Sequence, residues 1–238
     1  MTVLITGSTK GLGSHLAEFL VRDGYRVITH GRSWTNNSPR DQISCDLLNA
    51  SQVDAQFFKL KSLGKNVEHL ICNAGKSTYK EDLLTSFSNI SVAFEDNVLV
   101  ATNAIFYALK HHFDTLRTIT IIGSICGEEV ISGAPLGYSV AKSALKALTK
   151  CTAHRLSGTP IRCNLVTPGN LMFKGSVWER KVEENPEKVS NYLTDNVPGG
   201  NLGSPKDIFE VIKLIISNDA KFVNGSNIIV DGGQVKRW

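Results

Sequence analysis

A glycine-rich turn near the start of the chain restricts the possible folds more than any other feature. Residues 3–6 form a β-branched, apolar run that predicts a buried strand, and the chain continues as Gly7-Ser8-Thr9-Lys10-Gly11-Leu12-Gly13. Apolar residues at helical spacing follow this turn and end at Gly24, where a glycine favours termination of the helix. A strand, a glycine-rich turn and a helix in this order are typical of parallel α/β folds.

The same turn predicts a binding site for the pyrophosphate of a dinucleotide. Glycines let the backbone pass close to phosphate, and the N-terminus of the following helix presents N–H groups and a positive dipole end. The spacing is Gly-x-x-x-Gly-x-Gly rather than the Gly-x-Gly-x-x-Gly of the standard fingerprint. An ordinary tight turn is the alternative, but the position directly between a strand and a helix favours binding.

Strands and helices alternate along the remainder of the chain. Further strands are predicted at 25–30, 43–45, 67–72, 118–122, 161–166 and 227–230, and further helices at 53–63, 91–112, 138–155 and 205–217. This alternation predicts a single-domain α/β fold over residues 1–238, a Rossmann-like, doubly wound parallel sheet with helices on both faces. Ligands of such sheets bind at the carboxyl ends of the strands, where Gly7, Asn73, Ser124 and Pro168 are all expected.

Composition indicates a globular protein with neither a nucleic-acid nor a membrane partner. Of the 238 residues, 42% are hydrophobic and 20% are charged, which is normal for a chain that buries a substantial core. The net charge of +4 is spread along the sequence and supports anionic ligands only weakly. No apolar stretch approaches the roughly 20 residues that cross a bilayer, and the early first strand leaves no room for a signal peptide.

Cysteine and histidine spacing argues against disulfides and against a metal site. The five cysteines show no Cys-x-x-Cys pattern, and the six histidines show no His-x-x-x-His pattern. We expect free thiols in a reducing compartment, and therefore a cytoplasmic protein. The cysteines are Cys45, Cys72, Cys126, Cys151 and Cys163.

Tyr138 and Lys142 form the clearest candidate for a catalytic pair. Their i, i+4 spacing in a predicted helix places both side chains on the same helix face. A nearby ammonium favours the phenolate, so we expect Lys142 to lower the pKa of Tyr138 toward the range useful for proton transfer. The spacing alone can occur by chance in any amphipathic helix.

Taken in order, the motifs resemble those of the short-chain dehydrogenase/reductase family, of the single-domain type that includes 3-oxoacyl-carrier-protein reductases. The resemblance covers essentially the whole chain. The matching elements are Thr6-Gly7-x-x-x-Gly11-x-Gly13, Asp46, Asn73-Ala74-Gly75, Asn97, Gly123-Ser124, Tyr138-x-x-x-Lys142, Ile161-Arg162-Cys163-Asn164, Pro168-Gly169 and Val230-Asp231-Gly232-Gly233.

The resemblance implies four catalytic residues. Tyr138 would be the acid/base, and Lys142 would lower its pKa and also bind the ribose hydroxyls of the nicotinamide nucleotide. Ser124 would hydrogen-bond the substrate oxygen and stabilise charge on it. Asn97 would hold a water that links Lys142 to solvent. The alternatives are a turn cap for Ser124 and a solvated helix residue for Asn97.

The resemblance also implies an extended cofactor site, with NADP(H) favoured and NAD(H) possible. Enzymes that prefer NAD usually carry an acidic residue at the end of the second strand, where this chain has Gly31 followed by Arg32. Arg32 and Lys10 suit a 2′-phosphate, although both could be ordinary surface charges. The expected cofactor-binding residues are Gly7, Ser8, Thr9, Lys10, Gly11, Leu12, Gly13, Arg32, Asp46, Leu47, Asn73, Ala74, Gly75, Tyr138, Lys142, Pro168 and Gly169.

Two of these contacts have weaker support than the rest. Asp46 and Leu47 match the adenine contact of the family, but Asp46 could instead be a turn residue at the end of a strand. Phe173 lies near the place where the family often has a threonine that holds the nicotinamide carboxamide. Asn170 or a backbone amide could replace that threonine.

The substrate is expected to contact residues 170–202, whose sequence does not identify it. A 3-oxoacyl thioester and a keto-sugar or small polar ketone both remain open, and Trp178 could line the pocket, pack internally or meet another subunit. The function indicated is an NADP(H)-dependent oxidoreductase acting on a carbonyl or a secondary alcohol. The alternative is a non-catalytic nicotinamide-binding sensor or partner-binding protein. By resemblance we expect a homo-oligomer, either a tetramer or a dimer.

Overall fold

The first strand of the chain is an interior strand of a parallel sheet, with later strands added on both sides. A computed structural model describes residues 1–33, 41–77 and 82–237, and its strand order is β3-β2-β1-β4-β5-β6-β7. All neighbouring strands pair in parallel. The strands are β1 (Thr2–Ile5), β2 (Arg26–Gly31), β3 (Asp41–Ser44), β4 (His69–Cys72), β5 (Thr118–Ile122), β6 (Arg162–Pro168) and β7 (Asn227–Val230).

Helices cover both faces of this sheet, which confirms the predicted doubly wound, Rossmann-like fold. Leu4 of β1 packs into one apolar cluster with α2, α4 and α5, whereas its neighbours Val3 and Ile5 pack into a second with α1 and α8. Successive strand residues point to opposite faces, so a strand covered on both sides is apolar throughout. The helices are α1 (Gly11–Arg22), α2 (Ala50–Ser62), α3 (Leu83–Phe94), α4 (Val100–His112), α5 (Leu136–Arg155), α6 (Val177–Glu184), α7 (Pro186–Asn196) and α8 (Pro205–Ile216).

The prediction of one regular helix at 91–112 is wrong in two respects, because the helix starts earlier and a π-helical turn interrupts it. It begins at Leu83, because the side chain of Asp82 caps the backbone N–H of Thr85 while Thr85 caps that of Asp82 in return. A π-helical turn, Glu95–Leu99, then separates α3 from α4. Such turns occur mostly as single insertions inside α-helices, frequently at functional sites. This one carries Asn97.

The remaining predicted elements agree with the structure to within about three residues at each end. The strand predicted at 67–72 starts only at His69, because the N–H of Val67 donates to Nδ1 of His112 instead of joining the sheet. Residues 170–202 leave the sheet after β6, form α6 and α7, and return through a bridge between Leu171 and Gly203. In the described part of the chain, no helix is both long and apolar enough to cross a membrane.

Candidate active site

The glycine-rich turn is held against the end of β4 by close backbone packing and by the Thr6 hydroxyl. Gly7 has φ +62°, and a Cβ atom there would lie 2.8 Å from the Cα of Ala74, so only glycine fits. Oγ1 of Thr6 accepts hydrogen bonds from the N–H groups of Asn73 and Ala74, each at 3.0 Å. The turn and the Asn73-Ala74-Gly75 motif therefore form one unit.

Two predicted cofactor contacts have side chains that are used inside this unit. Nδ2 of Asn73 donates to the carbonyl oxygens of Thr6 and Gly7, at 3.1 and 2.9 Å. The buried hydroxyl of Ser8 donates to the Ile5 carbonyl at 2.8 Å and accepts from the His30 N–H at 2.9 Å. Both side chains shape the turn, and the N–H of Ser8 is used there as well, because it donates to the His30 carbonyl oxygen at 2.9 Å.

His30 is a structural residue of the site that the sequence analysis missed. The N–H of Gly7 donates to its Nδ1 at 3.0 Å, and its Nε2 lies 3.1 Å from the Cys45 carbonyl oxygen. These partners require a neutral ring protonated on Nε2, and burial lowers the pKa of His30 accordingly. The sequence does contain one signal for this role, because His30 is a polar residue near the carboxyl end of β2, the strand that pairs with β1.

The start of α1 has the features of an anion site. Its N-cap, Lys10, makes no side-chain capping bond, so the first N–H groups of the helix are not capped by that residue. Gly11 has φ +63°, and a Cβ atom there would lie 4.0 Å from the Cε2 atom of the Phe173 ring. Phe173 also contacts His15 edge-on, with ring centroids 5.5 Å apart. The cradle therefore fits a dinucleotide pyrophosphate beside Phe173.

The end of β2 lies close to the glycine-rich turn. A Cβ atom at Gly31 would lie 2.5 Å from the Thr9 methyl carbon, so the strand end and the glycine-rich turn are in direct contact. Thr9, Lys10 and Arg32 are exposed around this contact. Two cations thus flank the place where a dinucleotide ribose is held in such folds.

Asp46 and Leu47 make contacts within the protein, whereas the resemblance implied that they contact adenine. Oδ1 of Asp46 accepts from the Leu48 N–H at 3.0 Å, so the turn alternative is realised, although the carboxylate is exposed. The side chain of Leu47 is buried in the core, and its carbonyl oxygen accepts from Asn103 at 2.7 Å.

Lys142 and Tyr138 lie together, but not as the expected charge pair. Nζ of Lys142 donates to the Ile122 carbonyl oxygen at 2.9 Å and lies 5.6 Å from the centroid of the Tyr138 ring. Burial lowers the pKa of Lys142 to about 8 and raises the pKa of Tyr138 above its ordinary value. Burial therefore outweighs any lowering of the Tyr138 pKa by Lys142 and keeps the phenol protonated at neutral pH, while the role of Lys142 stays a prediction.

Ser124 is both a neighbour of Tyr138 and a turn cap. A hydrogen bond between their side chains opposes the rise in the Tyr138 pKa. Oγ of Ser124 also accepts from the Cys126 N–H at 3.2 Å and begins the 3₁₀ turn Ile125–Gly127. The catalytic role predicted for Ser124 and the alternative of a turn cap are thus compatible.

Asn97 is buried, so the solvated alternative for this residue is wrong. Nδ2 donates to the carbonyl oxygens of Lys76 and Ala93, both at 3.0 Å, and Oδ1 accepts from the Lys76 N–H at 3.3 Å. A Cβ atom at Gly75 would lie 2.6 Å from Oδ1 of Asn97 and 3.7 Å from Nζ of Lys142. These two polar groups therefore border the same small space.

The Pro168-Gly169 turn leads into an aromatic wall. The N–H of Gly169 donates to the Val230 carbonyl at 2.9 Å, which fixes the turn to the end of β7. Nδ2 of Asn170 then donates to the Tyr192 hydroxyl at 3.0 Å, and Tyr192 packs against Trp178 with ring centroids 5.0 Å apart. Trp178 thus contacts α7 within its own chain.

All five cysteines are free, and three of them are buried. Burial raises the pKa of Cys45 to about 11 and that of Cys163 to about 12, so both are thiols at neutral pH. Within residues 1–33, 41–77 and 82–237, no group of three histidine, cysteine or acidic side chains could hold a metal ion.

Comparison with known sequences identifies the class to which this fold and site belong. A family model described as enoyl-(acyl carrier protein) reductase matches residues 7–234. Dehydrogenase/reductase SDR family member 4 of Mus musculus is 26% identical, over 98% of this chain and 87% of the relative. The 3-oxoacyl-[acyl-carrier-protein] reductase MabA of Mycobacterium bovis is 27% identical, over 98% and 92%.

Solved structures show the same fold. They include ligand-free aldohexose dehydrogenase of Thermoplasma acidophilum (TM-score 0.88, 24% identity, 100% of this chain and 94% of that chain). A 4-hydroxyisoleucine dehydrogenase complexed with NADH has a TM-score of 0.84, 23% identity and coverage of 100% and 99%. L-sorbose reductase of Gluconobacter frateurii, complexed with NADPH and L-sorbose, has a TM-score of 0.87, 20% identity and coverage of 100% and 97%.

The chain belongs to the short-chain dehydrogenase/reductase family, as the motifs predicted. It is an NAD(P)-dependent oxidoreductase, which sets aside the alternative of a non-catalytic nicotinamide-binding protein.

Proposed function

We propose that this protein transfers hydride between NADP(H) and a ketone or secondary alcohol, with Tyr138 as the acid/base. The observation that carries the proposal is the meeting of Ser124, Tyr138 and Lys142 at the carboxyl end of β5. Ser124 hydrogen-bonds Tyr138, and Lys142 binds the carbonyl oxygen of Ile122, two residues before Ser124. Three groups with complementary roles in proton transfer thus surround one position.

In the reductive direction these residues protonate the carbonyl oxygen. Bound reduced nicotinamide would supply a hydride to the carbonyl carbon. Ser124 donates a hydrogen bond to the oxygen, and Tyr138 gives it a proton as negative charge develops. A raised pKa keeps Tyr138 protonated at neutral pH, and the nearby Lys142 stabilises the phenolate that proton transfer leaves. Asn97 and Lys142 border a space suited to a water that returns a proton from solvent.

Replacing Tyr138 by phenylalanine tests this assignment. Tyr138→Phe removes the proton donor without removing the ring, so we expect NADPH-dependent ketone reduction to fall at least about 1,000-fold while NADPH binding stays within about twofold. Single-turnover kinetics and fluorescence titration measure the two quantities. Tyr25→Phe, at a half-buried tyrosine outside the site, is the matched control. Wild-type turnover by Tyr138→Phe would contradict the assignment.

The preference for NADP(H) rests on the contact between β2 and the glycine-rich turn. Because position 31 is a glycine, it presents no carboxylate that could repel a 2′-phosphate. Lys10 and Arg32 are exposed beside this contact. Arginine pairs well with phosphate because its guanidinium presents several donors in one plane.

An Arg32→Asp variant tests the cofactor preference. The substitution replaces an attraction for the 2′-phosphate by a repulsion, so we expect kcat/KM for NADPH to fall about 100-fold and that for NADH to change less than about threefold. Arg22→Asp, at an exposed arginine in the last turn of α1, gives the control for charge alone. Wild-type preference for NADH would contradict the proposal.

Residues 170–202 supply the walls of the proposed substrate site. Trp178 and Tyr192 present a packed aromatic surface, and Nζ of Lys181 lies 4.3 Å from the Trp178 ring centroid. An aromatic surface with a fixed cation suits either the acyl chain of a 3-oxoacyl thioester or a keto-sugar or small polar ketone. Following NADPH oxidation across acyl thioesters, keto-sugars, steroids and simple ketones would distinguish these classes.

We also propose a homo-oligomer, a dimer or tetramer built through the α3–α4 region. Leu84, Phe87 and Phe106 are 79%, 64% and 57% exposed on these helices, and exposed apolar groups of this kind mark interaction surfaces. Sedimentation analysis of the wild type and of Phe106→Glu tests this.

The five free cysteines support a reducing compartment such as the cytoplasm.

A further inference from the structure

The last described residues contact two segments of the proposed active site. Gln234 is buried, and its Nε2 would lie 2.5 Å from a Cβ atom at Gly169. The N–H of Lys236 donates to Oε2 of Glu129 at 3.0 Å, and Arg237 forms an ion pair with Glu128. Residues 234–237, here called the C-terminal strap, therefore join the Pro168-Gly169 turn to the segment that follows Ser124.

Glu128 is the centre of these contacts. Only 1% of its side chain is exposed, and a carboxylate so buried requires charged or hydrogen-bonding partners. Its Oε1 accepts from Nδ2 of Asn227 at 2.8 Å, and its Oε2 lies 3.5 Å from Nζ of Lys146 as well as contacting Arg237. Glu128 thus connects α5, β7 and the strap.

The network continues from Glu128 to the strand end that bears Ser124. Oδ1 of Asn227 accepts from Oγ1 of Thr167 at 2.6 Å. Oγ1 of Thr167 would lie 2.7 Å from a Cβ atom at Gly123, so Thr167 packs against the residue that precedes Ser124. The short 3₁₀ turn from Ser124 to Glu128 is therefore held at both ends by partners from distant parts of the chain.

We propose that Glu128 and Arg237 are positioning residues, through which the C-terminal strap fixes the Ser124 turn relative to Tyr138. A single 3₁₀ turn has few hydrogen bonds of its own and depends on its anchors. The anchor at its C-terminal end is the buried Glu128 carboxylate, which pairs with Arg237 of the strap and with Lys146 of α5. The inference rests on the proposed role of Ser124, because displacing its hydroxyl would slow the chemical step without weakening cofactor binding.

An Arg237→Ala variant tests the proposal with two readouts. Misplacement of a catalytic group by about 1 Å lowers rates by one to two orders of magnitude, so we expect kcat to fall about 10-fold to 100-fold with KM for NADPH unchanged. Hydrogen exchange of residues 123–129 should accelerate at least about tenfold, since local opening follows lost anchoring contacts. Exchange of residues 2–31, which comprise β1, the glycine-rich turn, α1 and β2, should stay the same.

Lys236→Ala is the matched control, because it removes the neighbouring charge but keeps the backbone bond to Glu129. Arg237→Lys should recover part of both effects, since it restores a cation but not a planar guanidinium. Unchanged exchange of residues 123–129 in Arg237→Ala would overturn the proposal. This readout requires no turnover, so its outcome is distinct from that of Tyr138→Phe. Glu128→Gln should act in the same direction as Arg237→Ala.

Discussion

Single residues of the site show that burial controls protonation more strongly than neighbouring charge does. From sequence, Lys142 was expected to lower the pKa of Tyr138, yet burial raises the pKa of the phenol and lowers that of the ammonium to about 8. The i, i+4 spacing correctly placed both side chains together, with 5.6 Å between Nζ and the ring centroid. Spacing cannot give the desolvation of either group, because the surrounding atoms come from other elements.

Lys142→Met should stabilise the protein at neutral pH while abolishing activity. The folded-state pKa of about 8 lies below the ordinary 10.5, so the unfolded state binds more protons between these values and the free energy of unfolding rises with pH there. Below pH 8 the buried charge costs roughly 3 kcal/mol relative to a neutral side chain. Urea unfolding of both proteins from pH 7 to pH 10.5 measures the difference, which should shrink as pH rises. A constant difference would contradict the assigned pKa.

At the scale of elements, local sequence predicted the turns and most helices, while distant partners decided their details. The glycine-rich turn was recognised from Gly7, Gly11 and Gly13, but its contact with His30 was not, because His30 belongs to another strand. The π-helical turn around Asn97 was also missed. Its amide bonds to Lys76, 21 residues away, are not visible in local periodicity.

Gly7→Ala and Gly24→Ala together separate conformational strain from close packing. Both positions have positive φ, so alanine at either should cost about 1–2 kcal/mol in the free energy of unfolding. Only Gly7 has backbone of another segment within 3 Å of the new Cβ, which adds about 1–3 kcal/mol by overpacking. Urea unfolding and NADPH titration measure both effects. We expect only Gly7→Ala to weaken NADPH binding, and equal losses of stability would argue against the packing contact.

In the whole molecule, the sheet order brings the candidate residues to one edge. The first strand is the third of the seven in the sheet, with β2 and β3 on one side and β4, β5, β6 and β7 on the other. The glycine-rich turn, Ser124 and the Pro168-Gly169 turn therefore follow the carboxyl ends of strands in one parallel sheet. His69 of β4 and His112 of α4 are also buried in this fold, and they make its stability depend on pH.

Stability should fall as pH drops from about 6.5 toward 4. Burial lowers the pKa of His69 and of His112 to about 4, so the unfolded state binds more protons within this range. Full protonation costs roughly 3 kcal/mol for each histidine. Aspartates whose pKa is lowered, such as Asp41 and Asp114, lose their contribution only at lower pH.

Urea unfolding at pH 7, 6 and 5 measures this dependence. His69→Gln should reduce the slope of the unfolding free energy with pH, whereas His154→Gln, at an exposed histidine, should preserve it. Equal stability of the wild type at pH 7 and pH 5 would be inconsistent with these buried neutral rings.

The sequence by itself determined the fold class, the strands and most of the helices, and the family. Apolar runs, glycine positions and the spacing of Tyr138 and Lys142 are local properties, and they persist in whatever tertiary context the chain adopts. Short connections and right-handed crossovers then leave few topologies for such an alternation.

Only the tertiary structure decided protonation, the partners of polar groups and the anchoring of the Ser124 turn. These depend on contacts between residues far apart in the chain, such as Lys142 with Ile122, His30 with Gly7, and Arg237 with Glu128. Desolvation and hydrogen bonding are set by whichever atoms pack around a group, and that packing exists only after the sheet and its helices have assembled.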